Sequence, residues 1–279
     1  MQVATTVEQL KQTIGKEREQ GKQVGFVPTM GALHKGHVTL VEQAVGSTDF
    51  VVVSIFVNPT QFNNPNDLKT YPRTLEHDLE KLEEAGASLV FVPSVEEIYP
   101  EPDTRVFDFG NLDKVMEGQH RPGHFNGVAQ VVSKLFGMVN PHKAFFGQKD
   151  FQQLAIIRRM VEMLNLNIEI VSCPTVRESD GLAMSSRNML LNPMQRASAP
   201  IISKTLTQAR NFKQQLSVKE MIEWVNNEIN KNPELNVEYF EIADAKTLQP
   251  VNSWNDSTQL VGCIAVQVGQ VRLIDNILF

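Results

Sequence analysis

Short apolar runs alternate with amphipathic segments along roughly the first 170 residues of the chain. The apolar runs are typical of strands buried on both faces of a parallel sheet, and they lie at 24–27, 50–56, 89–92, 144–146 and 168–171. The segments between them carry the helical periodicity of apolar residues, at 5–20, 36–45, 74–85, 125–139 and 151–164. This alternation predicts a Rossmann-like, doubly wound α/β fold whose ligands bind at the carboxyl ends of the strands.

The pattern changes after about residue 175. Helices are predicted at 193–212 and 218–229, followed by strands at 237–243, 260–268 and 271–274, with Gly269 in a hairpin turn. We therefore expect a ligand-binding domain over 1–175 and a smaller α+β domain over 176–279 that closes over the active site. Thr5 and Glu8 have the spacing of a capping box for the first helix.

Composition and charge narrow the class of protein. The 279 residues are 42% hydrophobic and 21% charged, an ordinary globular mixture. The formal net charge of −6 predicts no nucleic-acid partner. No targeting segment or membrane-spanning stretch is visible, so we expect a soluble, cytoplasmic protein with no membrane partner. Cys173 and Cys263 are far apart beside apolar runs, and we expect both to be buried, reduced and inert.

Two histidines follow the first predicted strand. The segment PTMGALHKGH (28–37) combines a glycine turn with a helix start, which points backbone N–H groups at a phosphate. His34 and His37 are three residues apart and can point at one anion, while Gly36 lets the backbone approach closely. This H-x-G-H spacing resembles the nucleotidyltransferase superfamily, in which such donors stabilise charge that develops at an α-phosphate. The alternative is a pair of surface histidines near a helix start.

Two further segments carry groups suited to phosphates. Lys149 and Asp150 lie between a predicted strand and helix, where Lys149 suits phosphate oxygens and Asp150 suits Mg²⁺, ribose or a phosphate-bound water. Alternatively, Asp150 caps the following helix. Ser185, Ser186 and Arg187 follow a glycine-containing turn and form a phosphate grip, on a loop that closes over the nucleotide and excludes water. Alternatively, this is a polar loop before a helix.

An uncharged polar segment directly follows the strand predicted at 50–56. It runs from Asn58 to Asn63, and its amides and hydroxyl suit a small polyhydroxylated acid; the alternative is an ordinary turn rich in Asn and Pro. Gln153 lies three residues after Asp150 and can share its helix face, although a solvated helix residue is the alternative.

Six segments, in this order, closely resemble the pantoate–β-alanine ligase family. They cover roughly the first two-thirds of the chain and read PTMGALHKGH (28–37), SIFVNPTQF (54–62), YPRT (71–74), RPxHFxGV (121–128), FFGQKDFQQL (145–154) and PTVRExDGLAMSSRN (174–188). The resemblance implies that pantoate attacks the α-phosphorus of ATP to give pantoyl adenylate and pyrophosphate. The amine of β-alanine then displaces AMP to give pantothenate. It also implies Mg²⁺, a homodimer and a cytoplasmic location.

The resemblance assigns the catalytic and nucleotide-binding residues. His37 would be the proton donor and His34 its partner on the phosphates, in a catalytic set completed by Lys149, Ser185, Ser186 and Arg187. Asp150 would hold Mg²⁺. The implied ATP-binding residues are Met30, Gly31, Ala32, Leu33, His34, Lys35, Gly36, His37, Gly147, Gln148, Lys149, Asp150, Val176, Met184, Ser185, Ser186 and Arg187.

The resemblance assigns the acid and amine sites less fully. Gln61 and Gln153 would hold pantoate, and Gln61 would also contact β-alanine. Asn58 and Tyr71 are further substrate candidates, and Asp78 and Glu117 are weaker ones. His77 stands beside Asp78 where some relatives carry another acidic residue, which puts a shared acidic role of this segment in doubt.

Two other functions are compatible with part of these motifs. An adenylyl- or cytidylyltransferase would use the histidine pair and the Ser-Ser-Arg loop and keep the nucleotide in its product. A non-catalytic nucleotide-binding or oligomerisation module would retain the fold without turnover. The segments 58–62 and 121–128 favour the ligase over the first alternative, and the complete set of expected catalytic residues favours it over the second.

Overall fold

The computed structural model describes residues 1–62 and 65–279, so Asn63 of the predicted acid-binding segment lies outside the described residues. Six strands form the main sheet: β1 (Gln2–Ala4), β2 (Val24–Thr29), β3 (Phe50–Ile55), β4 (Leu89–Phe91), β5 (Lys143–Gly147) and β6 (Glu169–Cys173). They are all parallel, in the spatial order β1-β4-β3-β2-β5-β6. The predicted doubly wound α/β fold is confirmed. The sequence pattern missed β1 because only Ala4 of its three residues is buried.

Helices connect these strands and continue into the second half of the chain. In the described residues they are α1 (Val7–Glu19), α2 (Lys35–Val45), α3 (Pro65–Thr70), α4 (Leu75–Glu84), α5 (Val95–Ile98), α6 (Met116–His120), α7 (His124–Val139), α8 (Phe151–Met163), α9 (Pro193–Ser198), α10 (Ile201–Phe212) and α11 (Val218–Asn230). The short helices α3, α5 and α6 were not predicted, because a single turn carries too little periodicity to detect.

A second sheet contains β7 (Leu235–Asp244), β8 (Leu260–Val268) and β9 (Val271–Leu278), paired antiparallel in that order. The predicted hairpin turn joins β8 to β9, with Gly269 at a φ of +59°. The predicted last strand stopped at Ile274, because Asp275 and Asn276 interrupt the apolar pattern there. The strand nevertheless continues to Leu278.

Two local predictions were wrong. The capping box of α1 uses Thr6 and Gln9 rather than Thr5 and Glu8: the Gln9 N–H donates to Thr6 Oγ1 at 3.2 Å, and the Thr6 N–H donates to Gln9 Oε1 at 3.3 Å. The cap lies one residue later because the chain is extended through β1 and at Thr6 itself. The helix predicted at 193–212 is two helices, because Pro200 lacks the N–H that a continuous helix needs.

The chain forms two compact units, each with its own apolar core. Unit 1 comprises 1–109, 121–148 and 153–174, and unit 2 comprises 110–120, 149–152 and 175–279. In unit 1, Val27 and Val53 of the parallel sheet pack with Val41 of α2 and Leu82 of α4. In unit 2, the antiparallel sheet packs against α10 and α11. Along the described chain, no helix combines the length and apolarity needed to cross a membrane.

Candidate nucleotide and substrate site

The order of the parallel strands reverses between β2 and β5. Gly25 of β2 pairs with Lys143 of β5, and Phe26 pairs with Ala144. The carboxyl ends of the two strands, at Thr29 and Gly147, therefore lie at the same edge of the sheet. Open α/β sheets bind their ligands at such a reversal. The segment that follows β2 here is 30–37, called the histidine turn below.

The two predicted histidines contact each other at the start of α2. Their ring centroids are 4.1 Å apart and their planes are inclined by 36°. His34 Nδ1 accepts the Gly36 N–H at 3.1 Å, and His37 Nδ1 accepts the His34 N–H at 3.3 Å. Because both Nδ1 atoms accept hydrogen bonds, we assign the proton of each neutral ring to Nε2. Each ring thereby carries an Nε2–H, the kind of donor that a phosphate oxygen accepts.

A buried carboxylate holds the histidine turn. Asp78 on α4 accepts the Ala32 N–H on Oδ2 and the Leu33 N–H on Oδ1, each at 2.8 Å. Lys81, on the same helix, donates from Nζ to the Leu33 carbonyl at 2.5 Å. The family resemblance offers Asp78 as a ligand contact, whereas in the structure both of its oxygens bind the turn. Asp78 is therefore an anchor of this turn.

Most backbone N–H groups of the histidine turn have protein acceptors. Asp78, Thr29 and His34 between them accept the N–H groups of four residues, namely Gly31, Ala32, Leu33 and Gly36. This differs from the predicted cradle of backbone donors around a phosphate. The reason is the conformation of the turn: Gly31 and Ala32 have φ values of +78° and +51°, and a non-glycine residue needs support in this region.

Asn58 is the centre of a hydrogen-bond cluster that follows β3. Its Oδ1 accepts from the Tyr99 hydroxyl at 2.8 Å and also from Thr60, while its Nδ2 donates to Gln61 Oε1 and to the Gly127 carbonyl, both at 3.2 Å. Asn58 is 1% exposed, and these partners use the hydrogen-bonding capacity of its amide. The side chain therefore fixes the orientation of Gln61.

The other substrate candidates of unit 1 have different environments. Gln61 is half-buried, and its Nε2 lies 3.1 Å from Sδ of Met30, the first residue of the histidine turn. Tyr71 is buried and packs edge-on against Phe62, with ring centroids 5.8 Å apart. Gln153 is half-buried on α8. The structure thus brings Gln61 to the histidine turn and builds Tyr71 into local packing.

Gly147 ends β5 beside open space. Among the described residues, no heavy atom lies within 4 Å of the Cβ that a larger residue would place there. Gly127 on α7 differs, because a Cβ there would lie 2.5 Å from the Thr60 carbonyl oxygen. The close packing of α7 against Thr60 therefore explains why residue 127 is a glycine. At 147 the open space fits a glycine that leaves room for a ligand.

Lys149 and Asp150 belong to unit 2. The Lys149 side chain is mostly buried, and its Nζ lies 4.0 Å from Asp150 Oδ2, while the Asp150 side chain is half-exposed. No cluster of three or more metal-binding side chains occurs in the part of the chain that the structure describes. A Mg²⁺ that accompanies phosphates needs one or two carboxylates from the protein. The single carboxylate of Asp150 fits that requirement.

Residues 176–184 form a small hairpin that leads into the Ser-Ser-Arg segment. The Met184 N–H donates to the Val176 carbonyl at 3.0 Å, and Arg177 pairs with Ala183. Ser185 follows the hairpin directly, and its Oγ accepts the Arg187 N–H at 3.3 Å. The hairpin therefore brings together Val176 and Met184, two of the residues that the resemblance assigns to ATP. We call it the 176–184 hairpin.

Ion pairs fix the tip of this hairpin. Arg196 of α9 donates to Glu178 Oε2 at 2.5 Å and to Asp180 Oδ2 at 2.6 Å. The hydrogen bond from Arg196 holds the pKa of Asp180 below its usual range. Arg177 forms a two-pronged pair with Asp275 at 2.7 and 2.9 Å. The hairpin is therefore held by charged side chains.

Glu117 lies in a separate ion-pair cluster of unit 2. Arg272 donates to both of its carboxylate oxygens at 2.5 and 2.9 Å, and the Tyr239 hydroxyl donates to Oε1 at 3.0 Å. Burial and the charge of Glu117 raise the pKa of Tyr239. The structure gives Glu117 a role in joining α6 to the antiparallel sheet, which explains its presence without a ligand contact.

The two cysteines are free and buried, as predicted. Burial raises the pKa of Cys173 to about 11 and also raises that of Cys263, so both are thiols near neutral pH.

Sequence reasoning missed the supporting roles of Asp275, Asn276 and Arg196. The signal that could have indicated the first two is their position, as a polar pair inside an otherwise apolar strand. Nothing in the local sequence singles out Arg196, because an arginine in the first turns of a helix is ordinarily solvated.

Comparison with known proteins places the chain among related enzymes. The sequence model of the family described as pantoate-beta-alanine ligase matches residues 2–278. Pantothenate synthetase from Porphyromonas gingivalis is 56% identical over 277 residues, covering 99% of each chain.

Two crystal structures of related enzymes also resemble the chain over nearly its whole length. Pantothenate synthetase from Thermus thermophilus matches with a TM-score of 0.93 and 45% identity, over 99% of each chain. Pantoate-beta-alanine ligase from Francisella tularensis, complexed with beta-gamma ATP and beta-alanine, matches with a TM-score of 0.84 and 36% identity, over 100% of this chain and 97% of that one. The chain belongs to the pantoate–β-alanine ligase family.

Proposed function

We propose that the chain makes pantothenate from pantoate, β-alanine and ATP in two steps. A pantoate carboxylate oxygen attacks the α-phosphorus of ATP, and the bond to the bridging oxygen breaks, which gives pantoyl adenylate and pyrophosphate. The β-alanine amine then attacks the activated carbonyl. AMP leaves with the electron pair of the carbon–oxygen bond, and the amine loses a proton. Membership of the family supports this reaction.

The observation that carries the nucleotide assignment is the histidine pair at the end of β2. As pyrophosphate leaves, negative charge grows on the bridging and equatorial oxygens of the α-phosphate. The Nε2–H groups assigned to His34 and His37 are donors for these oxygens, and the hydrogen bonds at Nδ1 hold both rings in place before ATP binds. Such preorganised donors stabilise a transition state without reorganising during the reaction. His37 fills the donor role that the family resemblance implies through a hydrogen bond from its Nε2–H, and His34 binds the phosphates with it.

We assign the remaining phosphate contacts to four residues that carry a positive charge or a hydroxyl group. Lys149 supplies an amino group, Ser185 and Ser186 supply hydroxyl donors, and Arg187 supplies a guanidinium that matches phosphate oxygens. Val176 and Met184 flank this segment at the base of the 176–184 hairpin. Mg²⁺, held by Asp150 and the phosphates, would neutralise phosphate charge when bound.

Uncharged amides suit the acid that must react as a nucleophile. We assign pantoate to Gln61 and Gln153, with Gln61 also contacting β-alanine. A permanent cation paired with the carboxylate would lower its nucleophilicity, whereas amide donors fix its geometry at less cost. Asn58 supports Gln61 through the 3.2 Å hydrogen bond between their side chains, and Tyr71 packs beside Phe62.

A product assay tests the proposed reaction. The protein is incubated with ATP, Mg²⁺ and pantoate, with and without β-alanine, and the products are analysed by mass spectrometry. We expect AMP and pantothenate in the full mixture, and pantoyl adenylate with pyrophosphate when the amine is left out. ATP consumption that does not need pantoate would contradict the ligase. A final product that keeps the nucleotide would instead support a nucleotidyltransferase.

We further propose that the protein acts as a cytoplasmic homodimer. This rests on the family resemblance, and light scattering of the purified protein tests the assembly. A monomer at the concentration used for turnover would contradict the dimer while leaving the reaction intact.

A further inference from the structure

The last strand, β9, places two buried polar residues side by side. Asp275 and Asn276 are 4% and 6% exposed. Successive strand residues point to opposite faces of a sheet, so the two side chains leave β9 in opposite directions. Leu273, on the same face as Asp275, belongs to the core of unit 2. Buried polar groups need hydrogen-bond partners, so each face of β9 must supply one.

On one face, Asn276 binds the backbone of Lys149. Its Nδ2 donates to the Lys149 carbonyl at 2.9 Å. This hydrogen bond joins residues that are far apart in sequence, and it holds the main chain of Lys149 directly. The mostly buried Lys149 side chain extends from a backbone that Asn276 fixes.

On the other face, Asp275 binds the 176–184 hairpin through Arg177. The guanidinium donates to both carboxylate oxygens, at 2.7 and 2.9 Å, and also to the Gly181 carbonyl at 3.1 Å. Arg177 thus connects β9 with the tip of the hairpin, next to Val176 at its base. A two-pronged arginine–carboxylate pair fixes direction as well as distance.

Asp275 and Asn276 are also hydrogen-bonded to each other. The Asn276 N–H donates to Asp275 Oδ1 at 2.8 Å, so the carboxylate that orients Arg177 also contacts the backbone of the residue that orients Lys149. One short stretch of β9 therefore holds two segments to which we assign the phosphates of ATP.

We propose that Asp275 and Asn276 are positioning residues for the adenylation step, which set the placement of Lys149 and of the 176–184 hairpin relative to each other. The inference rests on the proposed function, because it takes Lys149 and the segment after the hairpin as ATP contacts. Neither side chain needs to touch a substrate. Partners of this kind, one contact removed from the reacting groups, change activity by about tenfold or more when they are lost.

The experiment measures the first step alone, as pantoate-dependent exchange of labelled pyrophosphate into ATP. Asn276→Asp keeps the shape of the side chain and replaces the donor to Lys149 with an oxygen. Asp275→Asn removes the charge that holds Arg177. We expect each variant to lower kcat/KM for ATP by about tenfold and to leave KM for pantoate unchanged.

Two control variants separate positioning from stability. Val266→Ala, in the buried part of β8, removes core volume from unit 2 at a position paired with Val237 and Leu273, and Asn236→Ala changes an exposed asparagine of β7. We expect both to keep the wild-type kcat/KM for ATP at a temperature where all variants are folded by circular dichroism. An equal loss of kcat/KM for ATP in Val266→Ala would overturn the proposal.

A double variant tests whether Asn276 acts through Lys149. If it does, Lys149→Ala with Asn276→Asp is no slower than Lys149→Ala alone, because the second change has nothing left to misplace. Fully additive losses would overturn the proposal. The Lys149→Ala variant also tests the proposed function separately: an unchanged kcat/KM for ATP in this variant would refute the role assigned to Lys149. If kcat/KM for ATP falls strongly in Lys149→Ala but stays at the wild-type value in both β9 variants, only the positioning role of Asp275 and Asn276 is refuted.

Discussion

The histidine turn of unit 1 and the 176–184 hairpin of unit 2 are each held by a buried aspartate, but the connections differ. Asp78 accepts two backbone N–H groups of the histidine turn directly. Asp275 reaches the hairpin through the long side chain of Arg177. A direct bond to the main chain holds the backbone itself, whereas the two-pronged Asp275–Arg177 pair fixes the direction of a side chain that begins at the hairpin. The histidine turn, to which we assign the α-phosphate, is thus held at its main chain, and the hairpin is held through a side chain.

The largest effect is expected at His37, the residue of the histidine turn to which we assign a contact with the α-phosphate. His37→Ala removes one preorganised donor, which costs about 10²–10³ in rate for donors of this type. We expect kcat for adenylation to fall by about that factor, with little change in the melting temperature. Single-turnover kinetics with pantoate and ATP measures the step.

The control for this prediction is His77→Ala. The His77 side chain is exposed on α4 and pairs with Glu80 at the surface, so its removal should leave adenylation at the wild-type rate. A His37→Ala protein that unfolds at a much lower temperature would instead indicate that the ring is needed for the turn.

Asp78→Asn tests the hydrogen bonds by which Asp78 holds the main chain of the histidine turn. An amide offers one acceptor oxygen, so either Ala32 or Leu33 loses its partner, and the charge that strengthens both bonds is gone. We expect a loss of about 2 kcal/mol in unfolding free energy and about a tenfold to hundredfold fall in adenylation rate, because the histidine rings shift with the backbone. Urea unfolding and single-turnover kinetics measure the two effects. A fall in stability with wild-type kinetics would mean that the turn keeps its geometry without the carboxylate.

Alanine substitutions at Gly147 and Gly127 distinguish a glycine that leaves space for a ligand from one that is required by helix packing. In Gly147→Ala the new Cβ meets open space, so we expect unchanged or slightly raised stability and a KM for ATP that rises by about tenfold, since one added methyl group displaces a close contact. In Gly127→Ala the Cβ meets the Thr60 carbonyl, and we expect a loss of about 1–3 kcal/mol from overpacking. Thermal unfolding and ATP saturation distinguish the pair. The same outcome for both variants would contradict the assignment of space at Gly147 to the nucleotide.

The sequence predicted that His34 and His37 lie side by side and where five of the parallel strands run, because both depend on local patterns. Apolar runs located five strands, and the spacing of His34 and His37 needs only one helical turn. The supports of these groups depend on residues far away in sequence, such as Asp78 for Ala32 or Asn276 for Lys149. An aspartate near a helix start also suits the helix dipole, so no local pattern distinguishes Asp78 from an ordinary exposed residue. The structure differs from the predicted backbone cradle in part for the same reason, since the acceptor of the Ala32 and Leu33 N–H groups is the distant Asp78, whereas Thr29 and His34 accept those of Gly31 and Gly36 locally.

The smallest effect is expected at Asp244, which resembles Asp78 in bonding but not in burial. Asp244 Oδ1 accepts the Lys246 and Thr247 N–H groups at 3.0 and 2.6 Å, while its Oδ2 accepts the Ser257 hydroxyl. The hydroxyl of Ser257 first, and then these N–H groups, lower the pKa of Asp244 to about 2. Because the folded pKa lies below the unfolded value of 3.8, the carboxylate stabilises the fold above about pH 4.

That stabilisation is lost as the pH falls from about 4 toward 2, because the proton then binds both the folded and the unfolded chain. The group is half-exposed, so we expect Asp244→Asn to cost about 1 kcal/mol at pH 7 and progressively less in acid. Urea unfolding of both proteins at pH 7 and pH 3 measures this difference. A cost that equals that of Asp78→Asn would mean that burial adds nothing to a carboxylate that binds backbone N–H groups. A smaller cost, with adenylation unchanged, would assign the strength of the Asp78 anchor to its burial beneath the histidine turn.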